Sequence, residues 1–143
     1  MSLPTVRDFM DKTYVTLSSE MDVYKAIDVL LDKGLTSAVV VESDNKIVGI
    51  LSEKDCLKLL TSGTYHELPG GTVADFMTKD VVTTPPTMDV FHVAELFLTH
   101  FFRRVVIADE NNRMIGQITR RDLLRVIKKF KKEESKKKIA PIL

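Results

Sequence analysis

Two short segments of this chain place groups able to do chemistry. Ser52-Glu-Lys-Asp55 and Thr119-Arg-Arg-Asp122 each set a hydroxyl three residues ahead of a carboxylate, directly after a β-forming run. An ionised carboxylate only accepts hydrogen bonds, and it can take both hydroxyls of a cis-diol. A helix beginning at these points adds free N–H groups and the positive end of its dipole, which suit a phosphate. The same S/T-x-x-D spacing is also a capping-box pattern, in which the carboxylate serves the helix's own first N–H groups. Taken singly, each segment is open to both readings.

The elements that must position these segments occur twice, 67 residues apart. Val6–Leu60 and Val73–Ile127 align without a gap, with 16 of 55 pairs identical, including Val-x-Asp-Phe-Met at the start and a glycine and an aspartate near the end. Each copy predicts the same succession. Tyr14–Leu17 and Val81–Thr84 are short β-prone runs. Val23, Ala26, Ile27, Leu30 and Leu31 fall at helical spacing, as do Val90, Val93, Ala94, Phe97 and Leu98. Asp22 and Asp89 sit at N-cap positions. Gly34 is placed to end the first helix, whereas Phe101 at the matching position makes the second end differently. Ala38–Val41 and Val105–Ala108 suit strands covered on both faces. Asp44-Asn45 and Asn111-Asn112 supply turns, and Ile47–Leu51 and Met114–Ile118 are the return strands. Helices then start after Ser52 and Thr119. The predicted fold is α/β (α+β), two β-α-β-β-α repeats packed with pseudo-two-fold symmetry, with repeats over 4–62 and 73–130, a linker over 63–72 and a lysine-rich tail over 131–143. Sites in such a body come in pairs.

Bulk composition narrows the function classes. The chain has 143 residues and a net charge of +1, but the part from Lys128 onward carries +5 and the part before it −4. A uniformly basic nucleic-acid binder is not described by these numbers. No apolar run approaches the ~18 residues of a spanning helix, and the first residues lack a secretory pattern, so a cytoplasmic protein is expected. The single cysteine, Cys56, forms no disulfide framework and is expected as a small core residue. His66, His92 and His100 have no metal-ligand spacing. No nucleophile–base pair and no Gly-rich phosphate loop appears, so an enzyme is not expected. Met10, Met21, Met77 and Met88 recur as pairs and read as core or contact residues.

The opening Val-x-Asp-hydrophobic-Met, the β-α-β-β-α order and the closing Gly-hydrophobic-hydrophobic-Ser/Thr-x-x-Asp together resemble the CBS domain, and two in tandem resemble a Bateman module. The resemblance covers about residues 4–130. It implies a regulatory module that binds AMP, ADP, ATP or S-adenosylmethionine in two clefts between the repeats. It makes Asp55 and Asp122 acceptors for ribose hydroxyls and Ser52 and Thr119 contacts to ribose or phosphate. The early strands, Thr13 to Leu17 and Asp80 to Thr84, would meet adenine largely through the backbone, which singles out Thr13, Val15 and Val82. In the gamma subunit of the AMP-activated kinase, basic residues at the place of Arg103 and Arg104 hold phosphate; the first copy has Thr36 and Ser37 there. Ile118, Arg121 and Arg120 complete the surroundings of the second motif, where the first copy has Leu51, Lys54 and Glu53. The second site is thus the basic one, and a phosphorylated nucleotide is expected to prefer it. Two departures from the family pattern stand out: the first hairpin strands lack proline, and Gln117 replaces an apolar residue.

The expected function is a ligand-regulated module without a catalytic cofactor, forming a homodimer through helices of both repeats and acting on an unidentified effector protein. Two alternatives are a structural adaptor without ligand and a nucleic-acid-associated regulator acting through the basic tail. That tail, Lys128–Lys138, is expected to prolong the last helix into solvent.

Overall fold

The apolar periodicities become elements in the expected order. The structure, a computed structural model, describes residues 3–64 and 67–139, with side chains through residue 136; His66 therefore lies outside the described residues. The elements are β1 (Thr16–Ser18), α1 (Val23–Lys33), β2 (Ser37–Glu42), β3 (Lys46–Ser52), α2 (Glu53–Cys56), α3 (Lys58–Ser62), α4 (Val73–Phe76), β4 (Thr83–Thr84), α5 (Val90–Thr99), β5 (Arg104–Ala108), β6 (Met114–Thr119) and α6 (Arg120–Ile139). They form two three-stranded sheets, ordered β1-β2-β3 and β4-β5-β6. In each, the short first strand runs parallel to the second.

Local chemistry explains the boundaries. The Asp22 carboxylate accepts from the Tyr24 and Lys25 N–H groups, and α1 ends on Gly34 at φ 63°, the left-handed conformation glycine adopts without strain. The Asp89 carboxylate accepts from the His92 N–H, and α5 leaves its last turn through extended His100, with no left-handed residue. Asn45 and Asn112 turn the two hairpins at φ 63° and 60°. β1 and β4 are shorter than the β-prone runs, starting at Thr16 and Thr83 rather than at Tyr14 and Val81, and Pro85, lacking an N–H, follows the last residue of β4. The helix after Ser52 breaks at Leu57 into α2 and α3, whereas its twin runs on as the 20-residue α6.

The two compact units are not the two copies. One contains the described residues up to Thr13, Thr83–Asp109 and those from Ile115 onward; the other contains those of Tyr14–Val82 with Glu110–Met114. Each copy's opening motif therefore packs with the body of the other copy. Val6 is fully buried with Val90, Val93, Val105, Ile107, Ile118 and Val126. Val73 is fully buried with Leu17, Ala26, Leu30, Ala38, Val40 and Leu51. The backbone bonds match: Val6 N–H donates to Met88 O and Val73 N–H to Met21 O, both at 2.8 Å. The motif glycines follow from this packing. A Cβ on Gly49 would lie 2.6 Å from Met77 Sδ, and one on Gly116 would lie 2.5 Å from Met10 Sδ, so each methionine occupies the space a side chain would need.

Candidate functional site

The end of each return strand presents one set of side chains away from the core. Along β6 the burial alternates, with Met114, Gly116 and Ile118 buried and Ile115, Gln117 and Thr119 half-buried. The period of two therefore puts Gln117 and Thr119 on one face. β3 alternates in the same way and puts Ile50 and Ser52 on the matching face.

Both aspartates make the capping box. Asp55 Oδ2 accepts from Ser52 N–H and Ser52 Oγ, both at 2.9 Å, while Ser52 Oγ accepts from Asp55 N–H at 3.1 Å. Asp122 Oδ2 accepts from Thr119 N–H at 2.8 Å and Thr119 Oγ1 at 3.1 Å. Capping thus uses one carboxylate oxygen and leaves Oδ1, so capping and ligand binding are compatible. The two copies differ at that oxygen. Asp55 Oδ1 accepts from Thr78 Oγ1 at 3.0 Å and faces Lys58 Nζ at 3.5 Å, with the side chain 8% exposed. Asp122 is 16% exposed, and its Oδ1 meets Arg125 Nη1 at 2.9 Å, from a side chain 68% exposed, and nothing else among the described residues. The second oxygen is thus held by the Thr78 hydroxyl at Asp55 and by an exposed arginine arm at Asp122. Sequence reasoning missed Thr78. It reaches Asp55 because the Thr78 and Ile50 backbones bond to each other, at 2.8 and 2.9 Å, which only the exchange of opening motifs makes possible.

The basic residues of the second copy separate. Arg104 Nη1 donates to Gln117 Oε1 at 3.0 Å, and its buried Nε has no partner. Burial pushes the Arg104 pKa down, and no carboxylate pairs with it among the described residues. Arg103, in the bend just before β5, is placed elsewhere: with Arg120 it lines a cavity of about 420 Å³ formed by Phe97–Phe102. Arg121 is exposed on the first turn of α6. Thus Arg104, Gln117, Thr119 and Asp122 form one group, and Arg103 with Arg120 another. The first copy has neutral Ser37 and Ile50 in place of Arg104 and Gln117; Ser37 is buried and in register with Ser52, and Thr36 O accepts from Glu53 N–H at 2.9 Å.

The remaining candidates are placed as follows. The exposed Thr13 donates its N–H to Asp11 Oδ1 at 2.8 Å. Val15 is half-buried and Val82 is 51% exposed. Ile118 is fully buried in the core, which leaves only its backbone for a ligand. Burial, then the nearby Asp55 and Glu53 carboxylates, push the Cys56 thiol up, away from the reactive thiolate. His92 and His100 are exposed, and among the described residues no group of three or more His, Cys, Asp or Glu is arranged to hold a metal ion.

The CBS domain family matches this chain twice, over residues 6–62 and 73–129. The inosine-5′-monophosphate dehydrogenase of Nitrosopumilus maritimus is 34% identical over 108 residues, which are 76% of this chain and 21% of that enzyme. The chain spans less than half the length of the first curated relatives it matches, at 21%, 42% and 14%. Among solved structures, CBSX2 in complex with AMP superposes with a TM-score of 0.76 at 28% identity, covering 90% of this chain and 98% of that one. The CBS domain pair of protein MJ0100, in complex with 5′-methylthioadenosine and S-adenosyl-L-methionine, gives 0.69 at 25% identity, covering 88% and 97%.

Proposed function

Because the chain belongs to the CBS domain family and carries its unit twice, we propose that it is a regulatory module that binds an adenosine-containing nucleotide and signals its occupancy to an effector protein. The observation that carries this reading is Arg104. Its half-buried guanidinium has a neutral amide for a partner and no counter-ion, on the strand face that leads to Thr119 and Asp122. A desolvated cation without an anion is costly, and a phosphate relieves that cost with charge-assisted hydrogen bonds. In this scheme Asp122 Oδ1 exchanges Arg125 for ribose hydroxyls, Thr119 stays with the helix terminus and Arg104 takes the phosphate. AMP in CBSX2, and the two adenosyl compounds in the MJ0100 pair, support an adenosyl ligand; ADP and ATP extend the same chemistry. The Asp55 site, already filled by Thr78 and lacking an arginine, is the weaker one.

The reading assigns the chain no catalytic step and no catalytic cofactor, and it places the chain in the cytoplasm. No helix among the described residues is long and apolar enough to cross a membrane. Self-association belongs to the same proposal. Leu31, Leu57, Leu60 and Leu68 are 72%, 58%, 66% and 45% exposed around an apolar groove of about 330 Å³. A second copy of this chain offers the same leucines, as an isologous contact requires.

Calorimetric titration with AMP, adenosine and S-adenosylmethionine tests the proposal. AMP is expected to bind more tightly than adenosine. Asp122→Asn is expected to weaken both by about tenfold or more, the effect of one hydrogen bond to a charged group. Arg104→Ala is expected to weaken AMP alone. No binding of any of the three at millimolar concentration would overturn the reading.

A further inference from the structure

Helix α6 carries more charge than the site can use. Its packed face is Leu123, Val126 and Phe130, with Phe130 edge-on to Phe9 at 6.0 Å and stacked on Phe91 at 6.2 Å. After Phe130 every residue through Lys136 is exposed. Arg121, Arg125, Lys128, Lys132 and Lys136 follow one another at intervals of four, three, four and four residues, and all five are exposed. At 100° per residue they fall within an arc of about 80°, and at 1.5 Å per residue they form a straight row roughly 22 Å long. No acidic residue falls inside that arc. Glu134 pairs with Lys131, off the row, and Lys129 is turned toward the Phe9 ring at 5.1 Å. Of the five, only Arg125 has an acidic partner among the described residues, Asp122.

We propose that this row is a docking surface for the sugar–phosphate backbone of a nucleic acid, bound without regard to base sequence. The chemistry separates this partner from other polyanions. A protein interface needs an apolar or aromatic centre; the exposed apolar residues of α6, Leu124 and Ile127, lie outside the arc, and none of the five positions within the row is apolar. A membrane-lying helix needs an apolar face to insert, and from Lys131 to Lys136 α6 has none. A phosphate backbone needs only regularly spaced cations. The body before Lys128 carries −4, which repels the same strand and confines it to the helix.

The test is fluorescence anisotropy of the whole chain with a labelled 20-nucleotide single-stranded RNA of mixed sequence, the matching DNA strand and the DNA duplex, across a salt series. With five phosphates neutralised, log affinity for the duplex should fall with log salt at a slope of about −4.5, roughly 500-fold between 50 and 200 mM. The triple variant Lys128→Gln, Lys132→Gln, Lys136→Gln keeps two cations of the row, so its slope should shrink to about −1.8, roughly tenfold over the same range. Lys131→Gln, off the row, should match the parent chain, and thermal melting and AMP titration should be unchanged in both variants. The proposal is overturned if the parent chain does not bind any of the three probes at 50 mM salt, or if the triple variant binds like the parent. Sedimentation with vesicles of one part phosphatidylserine to three parts phosphatidylcholine, in the absence of nucleic-acid binding, overturns it in favour of a membrane. AMP titration is independent of both arms, so this surface and the nucleotide site stand or fall separately.

Discussion

Replacing Gln117 with glutamate puts the proposed phosphate site under direct test. Gln117 Oε1 accepts from Arg104 Nη1 at 3.0 Å. In Gln117→Glu a carboxylate takes the same place at nearly the same volume, giving Arg104 the counter-ion it lacks. A phosphate hydrogen-bonded to Arg104 is worth about 1.5–3 kcal/mol, which is roughly 10- to 150-fold in affinity. The variant is expected to lose at least that much for AMP, because the new charge also repels phosphate, while adenosine binding changes little. The unliganded protein should gain stability. A half-buried pair of this kind lies between an exposed and a desolvated one, so the gain is about 1 kcal/mol, or about 2–4 °C in melting temperature for a chain near this size. The pH dependence has a definite sign. Arg104 holds the new carboxyl below the ordinary glutamate value of about 4.3. The gain is therefore full above that value and disappears as pH falls through the lower value of the folded state. Gln117→Met is the control: it keeps the arginine charged and unpaired, so it should melt about 1 kcal/mol less stably and keep its preference for AMP. An unchanged ratio of AMP to adenosine affinity in Gln117→Glu would refute the role given to Arg104.

Two further outcomes follow from packing. Gly49→Ala places a methyl 2.6 Å from Met77 Sδ and 2.9 Å from the Thr78 carbonyl oxygen; the backbone oxygen cannot move aside cheaply, so calorimetric melting should show a loss of about 1–3 kcal/mol. Leu60→Asp sets a charge on the exposed leucine surface of α3, and light scattering behind gel filtration should show a monomer where the parent chain is expected to dimerise; a parent chain that is monomeric at high micromolar concentration contradicts the association proposed above.

Much of this structure was legible residue by residue. Asp22, Asp89, Ser52 and Thr119 cap the helices they precede, because a short acceptor before an apolar period has few other uses. Asn45 and Asn112 turn the hairpins as their tolerance of positive φ suggests. The exchange of Val6 and Val73 between the copies was not legible, since periodicity tells which face of an element is apolar but not which surface will cover it. Thr78 opposite Asp55 was hidden for the same reason. The separation of Arg103 from Arg104 was not legible either, because β5 begins only at Arg104 and the bend that carries Arg103 has no periodicity to read. What alternation does not supply is the partner, and Gln117, noticed only as a departure from the family pattern, proves to hold Arg104.

The exchanged motifs also bear on how the chain is made. Val6, synthesised ahead of the other buried members of its core, completes a cluster that extends to Val126. It therefore leaves the ribosome before the rest of that core and finds its place only after Val126 has followed. The unit built around Val73 spans a shorter stretch, Leu17 to Met77 in its hydrophobic cluster, and can assemble most of its core while the second copy is still being translated. Vectorial synthesis thus gives two halves of the same architecture different histories, with the early valine waiting, unpaired and apolar, for a partner about a hundred residues away.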